Sequence, residues 1–178
     1  FATHILIVSN NQNLEILSEE KYIAGAPILE TDHFRFYSTQ YTQLKKISIH
    51  GIVQSFPWGL GAGKFNNFAH KLKEKYPYRT HVPYPDPHST YLGIFAELGV
   101  AGFFLLLAFF STIGLNVHKM SMEMKQHSSL IIILGICFII ISLDAINTDI
   151  MNFRHYWILV SITEVLGKYG RTEYKLSK

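Results

Sequence analysis

Apolar positions crowd into the second half of the chain. Leu98 to Val117 is almost unbroken hydrophobic sequence, including Phe103-Phe104-Leu105-Leu106-Leu107-Ala108-Phe109-Phe110. About 20 helical residues at 1.5 Å each cross a hydrocarbon core of about 30 Å, so a transmembrane helix is expected over residues 91–117. Leu130 to Leu143 predicts a second, reaching Ile146 if Asp144 sits at the interface. Tyr156 to Leu166 contains Glu164 and reads as a transmembrane or a tilted, interfacial helix over 155–167. At the other end, Ile5-Leu6-Ile7-Val8 reads as the end of an upstream membrane helix. A chain that opens on Phe1 inside an apolar run is expected to be the C-terminal part of a longer membrane protein.

Residues 9–90 have the polar mixture of a folded domain rather than a linker. Asp32 is placed to cap a helix whose stripe is Phe34, Tyr37, Tyr41, Leu44, Ser48 and Ile52. Pro57 stops it, and Pro57-Trp58-Gly59-Leu60-Gly61-Ala62-Gly63-Lys64-Phe65 reads as a tight glycine turn. A short basic helix is expected from Asn67 to Tyr76, ending at Pro77. Four prolines between residues 77 and 87 hold that stretch extended. Ser89 then suits the N-cap of the helix that enters the membrane.

Orientation follows from the basic residues in short connections. Lys119 and Lys125 lie in 118–129, and Lys168, Arg171, Lys175 and Lys178 lie in the tail 168–178. The turn 147–154 has one arginine and an aspartate. The loop 118–129 and the tail are therefore expected in the cytoplasm, with 9–90 and 147–154 outside. The expected fold is all-α: a fragment of a polytopic membrane helical bundle with a large external, mainly helical loop domain.

Composition agrees with that class. Hydrophobic residues make up 48% and charged residues 16%, against about 25% charged in an average soluble domain. The net charge of +3 comes with no basic block, so a nucleic-acid partner is not expected. Cys137 is the single cysteine and forms no intrachain disulfide.

The candidate chemistry is sparse. The glycine turn fails as a phosphate loop, because Gly59 and Gly63 have three residues between them and Phe65 follows Lys64. His81, Asp86 and His88 lack a third histidine or a cysteine nearby, so no metal is assigned. His88 reads as a solvated loop residue, a cap, or a base whose pKa near 6.5 suits proton removal from a sugar hydroxyl. Arg35 reads as surface charge with its stem on aromatic neighbours, or as a bidentate phosphate ligand. Arg154, in Asn152-Phe153-Arg154-His155-Tyr156-Trp157, suits an interfacial anchor as well as a substrate contact. Arg79 and Ser89 complete the candidate substrate-binding residues.

His88-Ser89, nine residues, Gly99, two residues and Gly102 resemble the histidine pattern of the O-antigen ligase and polymerase family of bacterial envelope proteins. Arg35 followed by the proline and glycine turn at 57–65 is similar to the family's preceding pattern. The resemblance runs from about residue 32 to 157. It implies a metal-independent glycosyltransferase of the bacterial inner membrane, with its catalytic loop in the periplasm and no cofactor. Its partners would be a polyprenyl-diphosphate-linked glycan donor, a lipid or glycan acceptor, and membrane lipids. Residue by residue, it implies His88 as the base and Arg35 as the diphosphate ligand. Gly99 and Gly102 would let the helix pack closely on a neighbour. A second arginine of the family pattern has no counterpart in this chain. Ligation to a lipid core and polymerisation of repeat units both remain open, as do a transporter component and a non-catalytic membrane subunit.

Overall fold

The computed structural model describes residues 5–9, 28–76, 85–123 and 128–176. Arg79 and His81 lie outside them. The described residues are mostly helical, with one small antiparallel sheet. Its strands are β1 (Ile5–Ser9), β2 (Leu29–Glu30) and β3 (Phe34–Ser38), in the order β1-β3-β2. Ile5 pairs with Ser38, Ser9 with Phe34, and Leu29 with Phe36.

Two sequence expectations change here. Ile5 to Val8 is a strand, not the end of a membrane helix. Arg35 sits on β3, not in the first turn of a helix capped by Asp32. Asp32 lies in the connection between β2 and β3, where the Phe34 N–H donates to Thr31 Oγ1 at 3.1 Å. The reason is local composition. Phe34-Arg35-Phe36-Tyr37 is rich in the aromatics that suit a pleated surface, and β-branched Ile5, Ile7 and Val8 give it a partner.

The expected stripe holds from Tyr41 onward. Helix α1 (Gln40–Ser55) buries Leu44, Ile47 and Ser48. Helix α2 (Phe65–Lys71) buries Phe65 and Ala69, beginning earlier and ending sooner than the sequence expectation of 67–76. Leu44, Ile47, Phe65 and Ala69 close one core with Ala96 of the next helix, α3 (Thr90–Glu123).

Helix α3 breaks at Gly99, whose φ of 66° and ψ of −157° are not helical. Beyond the break a second core joins Leu106, Phe110 and Ile113 of α3 to Phe138, Ala145, Ile150 and Tyr156. These come from α4 (Ser128–Asp144), a 3₁₀ turn (Ile150–Asn152) and α5 (Arg154–Leu176). Helix α5 runs on through most of the expected tail, and Asn116 Nδ2 donates to Glu164 Oε1 at 2.7 Å.

Among the described residues one helix is long and apolar enough to cross a membrane: α3, over Thr90–Met122, with a mean hydropathy of 2.2 across its 18-residue apolar stretch. Helix α4 is apolar but short, at 17 residues or about 26 Å.

Candidate functional site

The site gathers where the N-terminus of α3 meets the chain on both sides of it. Asp86 precedes Pro87, which holds it extended, and its Oδ1 accepts the His88 N–H at 2.7 Å. That turn carries His88 at a φ of +46°, in the left-handed region that histidine enters more readily than most residues. Ser89 then caps α3, accepting the Leu92 N–H at 3.3 Å and donating to the Ala145 carbonyl. The Thr90 N–H donates to the Ala145 and Thr148 carbonyls, and Thr90 Oγ1 accepts the Ile150 N–H at 2.9 Å. The connection between α4 and the 3₁₀ turn thus holds the start of α3 by side chain and backbone.

The imidazole of His88 is half-buried. Tyr41 of α1 meets it edge to face, with ring centroids 4.3 Å apart. Asp86 Oδ1 lies 3.6 Å from Nδ1. A carboxylate there favours the tautomer with its proton on Nδ1, which leaves the lone pair on Nε2. Burial, with the nearby Lys45 charge, pushes the His88 pKa below its ordinary value, while Asp86 and Asp149 pull it back. Neutral imidazole therefore dominates at neutral pH. Lys45 stands one turn from Tyr41 on α1, and Nζ donates to the Ile146 carbonyl at 3.0 Å and to Asn147 Oδ1 at 2.8 Å. Burial lowers its pKa as well.

Glu97, an ionisable residue at the edge of the long apolar run, is engaged by the glycine turn. Its two carboxylate oxygens accept the Gly63 N–H at 2.9 Å and the Phe65 N–H at 3.0 Å. The Leu60 and Gly61 N–H groups donate to the Ala96 and Glu97 carbonyls, and Val100 N–H donates to the Pro57 carbonyl. A Cβ on Gly59 would strike the backbone of Glu97 and Gly99, and one on Gly99 would strike Pro57 and Trp58. The glycine turn and the Gly99 break are one backbone-to-backbone joint.

Gly99 therefore lets a loop approach, not a neighbouring membrane helix. Gly102 differs too: a Cβ there would meet the Leu98 side chain of the same helix, which the break turns toward it.

A cleft of about 430 Å³ opens beside this joint, lined among others by Asn66, Asp86, Ser89, Glu97 and Asp149. Asn66 Oδ1 is buried without a hydrogen-bond partner. Among the described residues no group of three or more histidine, cysteine, aspartate or glutamate side chains could hold a metal.

Arg35 is not part of this cluster. It faces Glu30 across the β2–β3 ladder, and its Nε donates to Glu30 Oε1 at 2.7 Å. That pairing raises its pKa further. Arg154 opens α5 and is exposed. The structure thus surrounds His88 with Tyr41, Lys45, Asp86 and Asp149, of which sequence reading had weighed only Asp86. Tyr41 and Lys45 carried a usable signal, since residues four apart share a helix face.

The O-antigen ligase family model matches residues 4–107, from β1 past the Gly99 break. No curated protein and no solved structure matches the chain.

Proposed function

The chain belongs to the O-antigen ligase family, and on that premise we propose that it serves a membrane glycosyltransferase acting on a polyprenyl-diphosphate-linked glycan at the periplasmic face of the inner membrane. The observation that carries this reading is the setting of His88: a neutral, half-buried imidazole, fixed at the start of a membrane-length helix between Asp86 and Ser89, which line a cleft.

In the proposed reaction an acceptor hydroxyl gives its proton to Nε2 of His88. The oxygen attacks the anomeric carbon of the donor, the new glycosidic bond forms, and the bond to the diphosphate breaks. Asp86 steadies the imidazolium that results. Arg35, held by Glu30 and Tyr37 on the sheet, is the candidate that neutralises the departing diphosphate. Arg79 and Arg154 are the further candidates for donor contacts, and Ser89 for a substrate hydroxyl. The cleft suits the acceptor better than the diphosphate. Its lining is largely apolar, with the unpartnered Asn66 amide oxygen and the Asp86 carboxylate as acceptors, which suit a hydroxyl donor and repel phosphate. Ligation to a lipid core is the preferred outcome, with polymerisation of repeat units as the alternative.

The test is transfer in a strain lacking its own ligase. His88→Ala is expected to cut glycan transfer by about 10²–10⁴-fold, the range of general-base catalysis, with normal membrane insertion. Arg35→Ala is expected to lose transfer while Arg35→Lys recovers part of it. Full activity in the His88 variant would end the base assignment. Export of glycan without transfer would place the protein among transporters.

A further inference from the structure

Helix α3 is longer than a bilayer needs. Its 33 residues from Thr90 to Met122 span about 50 Å at 1.5 Å each, against about 30 Å of hydrocarbon. Exposure shows where the excess lies. From Thr90 to Glu97 every residue is buried or half-buried, whereas from Leu98 onward large apolar side chains such as Phe104 and Leu105 are exposed. Beyond the break the apolar run continues from Val100 to Val117, about 27 Å at 1.5 Å per residue and close to the hydrocarbon thickness, before His118 and Lys119. The break at Gly99 thus coincides with the change of solvent.

The loop docked on that break is not polar. Trp58 is 85% exposed although its backbone packs against Gly99. Upstream of it, one face of α1 carries Ile49, Val53 and Phe56, all exposed, with Val53 at 74%. The same face ends in exposed Lys46 toward the start of the helix. The face therefore grades from a cation, through aliphatic side chains, to a tryptophan at the level where α3 becomes lipid-facing.

We propose that the C-terminal half of α1 and the Pro57-Trp58 corner sit in the interfacial layer of the bilayer, with Ile49, Val53, Phe56 and Trp58 against lipid. That layer is about 5–8 Å deep on each side, and the stripe from Ile49 to Phe56 rises about 10 Å if the helix stands upright. Tryptophan favours this layer, and a lysine at the polar end reaches the head groups. The consequence for the site is positional. Glu97 lies less than one turn of α3 outside the hydrocarbon, and the cleft runs from it back to Ser89, toward the emerging lipid-linked head group. The inference rests on α3 crossing the bilayer, which the test checks separately.

The chain has two tryptophans, so Trp157→Phe leaves Trp58 as the sole reporter. The protein is reconstituted in phosphatidylcholine and phosphatidylglycerol vesicles containing lipids brominated either near the ester end or near the terminal methyl of the acyl chain. Trp58 is expected to be quenched several-fold more by the ester-end bromines, and only weakly by aqueous iodide. A companion variant, Trp58→Phe with Trp157→Phe and Phe104→Trp, reports on α3 and is expected to be quenched most by the terminal-methyl bromines. Deep quenching at position 104 with full iodide access at Trp58 would overturn the interfacial placement and leave the crossing intact. Trp58 shielded from both bromines and iodide would mean that protein covers the stripe, and would equally overturn it. Loss of lipid quenching at position 104 would overturn the crossing itself.

Discussion

The two halves of helix α3 differ more than their shared apolarity suggests. Residues 90–97 belong to a protein interior. Their neighbours are α1, α2 and the connection before the 3₁₀ turn, with Tyr91 and Ile94 reaching the second core, and each polar group among Ser89, Thr90 and Glu97 is bonded to backbone. Residues 100–122 belong to a second core shared with α4 and α5, and their remaining surface is exposed leucine and phenylalanine. The first half is held mainly by directed hydrogen bonds, and the second mainly by packing, with Asn116 bonded to Glu164. What separates them is a single residue, Gly99, whose conformation lets the glycine turn lie directly on the helix backbone. Hydropathy reports both halves as one run. The proposed chemistry lies at the first.

The sharpest way to break that division is to restore a side chain at the joint. A φ of 66° with a ψ of −157° lies in a region essentially reserved for glycine, at a cost of about 1–3 kcal/mol for other residues. A Cβ would also meet the Pro57 backbone, which cannot move without pulling the glycine turn away. Gly99→Ala is therefore expected to destabilise by about 3 kcal/mol or more in total. The measurement is a thermal melt in detergent, read together with transfer activity. A near-neutral melt would mean that the joint is not rigid.

The next largest effect is expected from Glu97→Gln. The glutamine amide keeps the shape but presents one acceptor and one donor to two backbone N–H groups. One bond is lost and two donors face each other, so about 2–3 kcal/mol is expected. Because the break is local to the first half, the variant should loosen the glycine turn while leaving the α3–α4–α5 core protected. Hydrogen exchange at Gly63 and Phe65, against exchange in α4, checks this. Equal loosening of both halves would erase the distinction.

Much of this was legible in the sequence, and the failures have physical reasons. The helix-length apolar run, the Ser89 cap and the stripe Tyr41-Leu44-Ser48-Ile52 follow from local periodicity and were read correctly. The segment Phe34–Ser38 was read as helix, because its aromatics also fit a 3.6-residue period. Pairing with β2 across a short turn and with the distant β1 decided the matter, and a helical-period reading registers neither. Gly99 and Gly102 were located by spacing, but their role was misjudged. Spacing says that a small residue is needed and not what approaches it. Tyr41, Lys45 and Asp149 reach His88 from separate elements, so no single window of sequence contained the site.

The smallest expected effect sharpens the comparison at the start of the first half, where the proposed base His88 sits. His88 faces Asp86 from its own loop, Tyr41 and Lys45 from α1, and Asp149 from the connection after α4. Burial and Lys45 lower its pKa, and the two carboxylates oppose them. As pH falls below the ordinary value near 6.5, an unfolded chain takes up the proton before the folded one does. The fold therefore loses stability from that pH down through the native pKa. The base form persists correspondingly lower than an exposed histidine would allow. Asp86→Asn removes an opposing carboxylate, so the native pKa drops further and the acid limb of the pH–rate profile moves to lower pH. The plateau rate falls at the same time, because Nδ1 loses the carboxylate that fixes its proton. Lys45→Met removes a cation and is expected to move the limb the other way. A limb that does not respond to either substitution would detach the rate from His88, and a shift of Asp86→Asn toward higher pH would overturn the assigned role of the carboxylate.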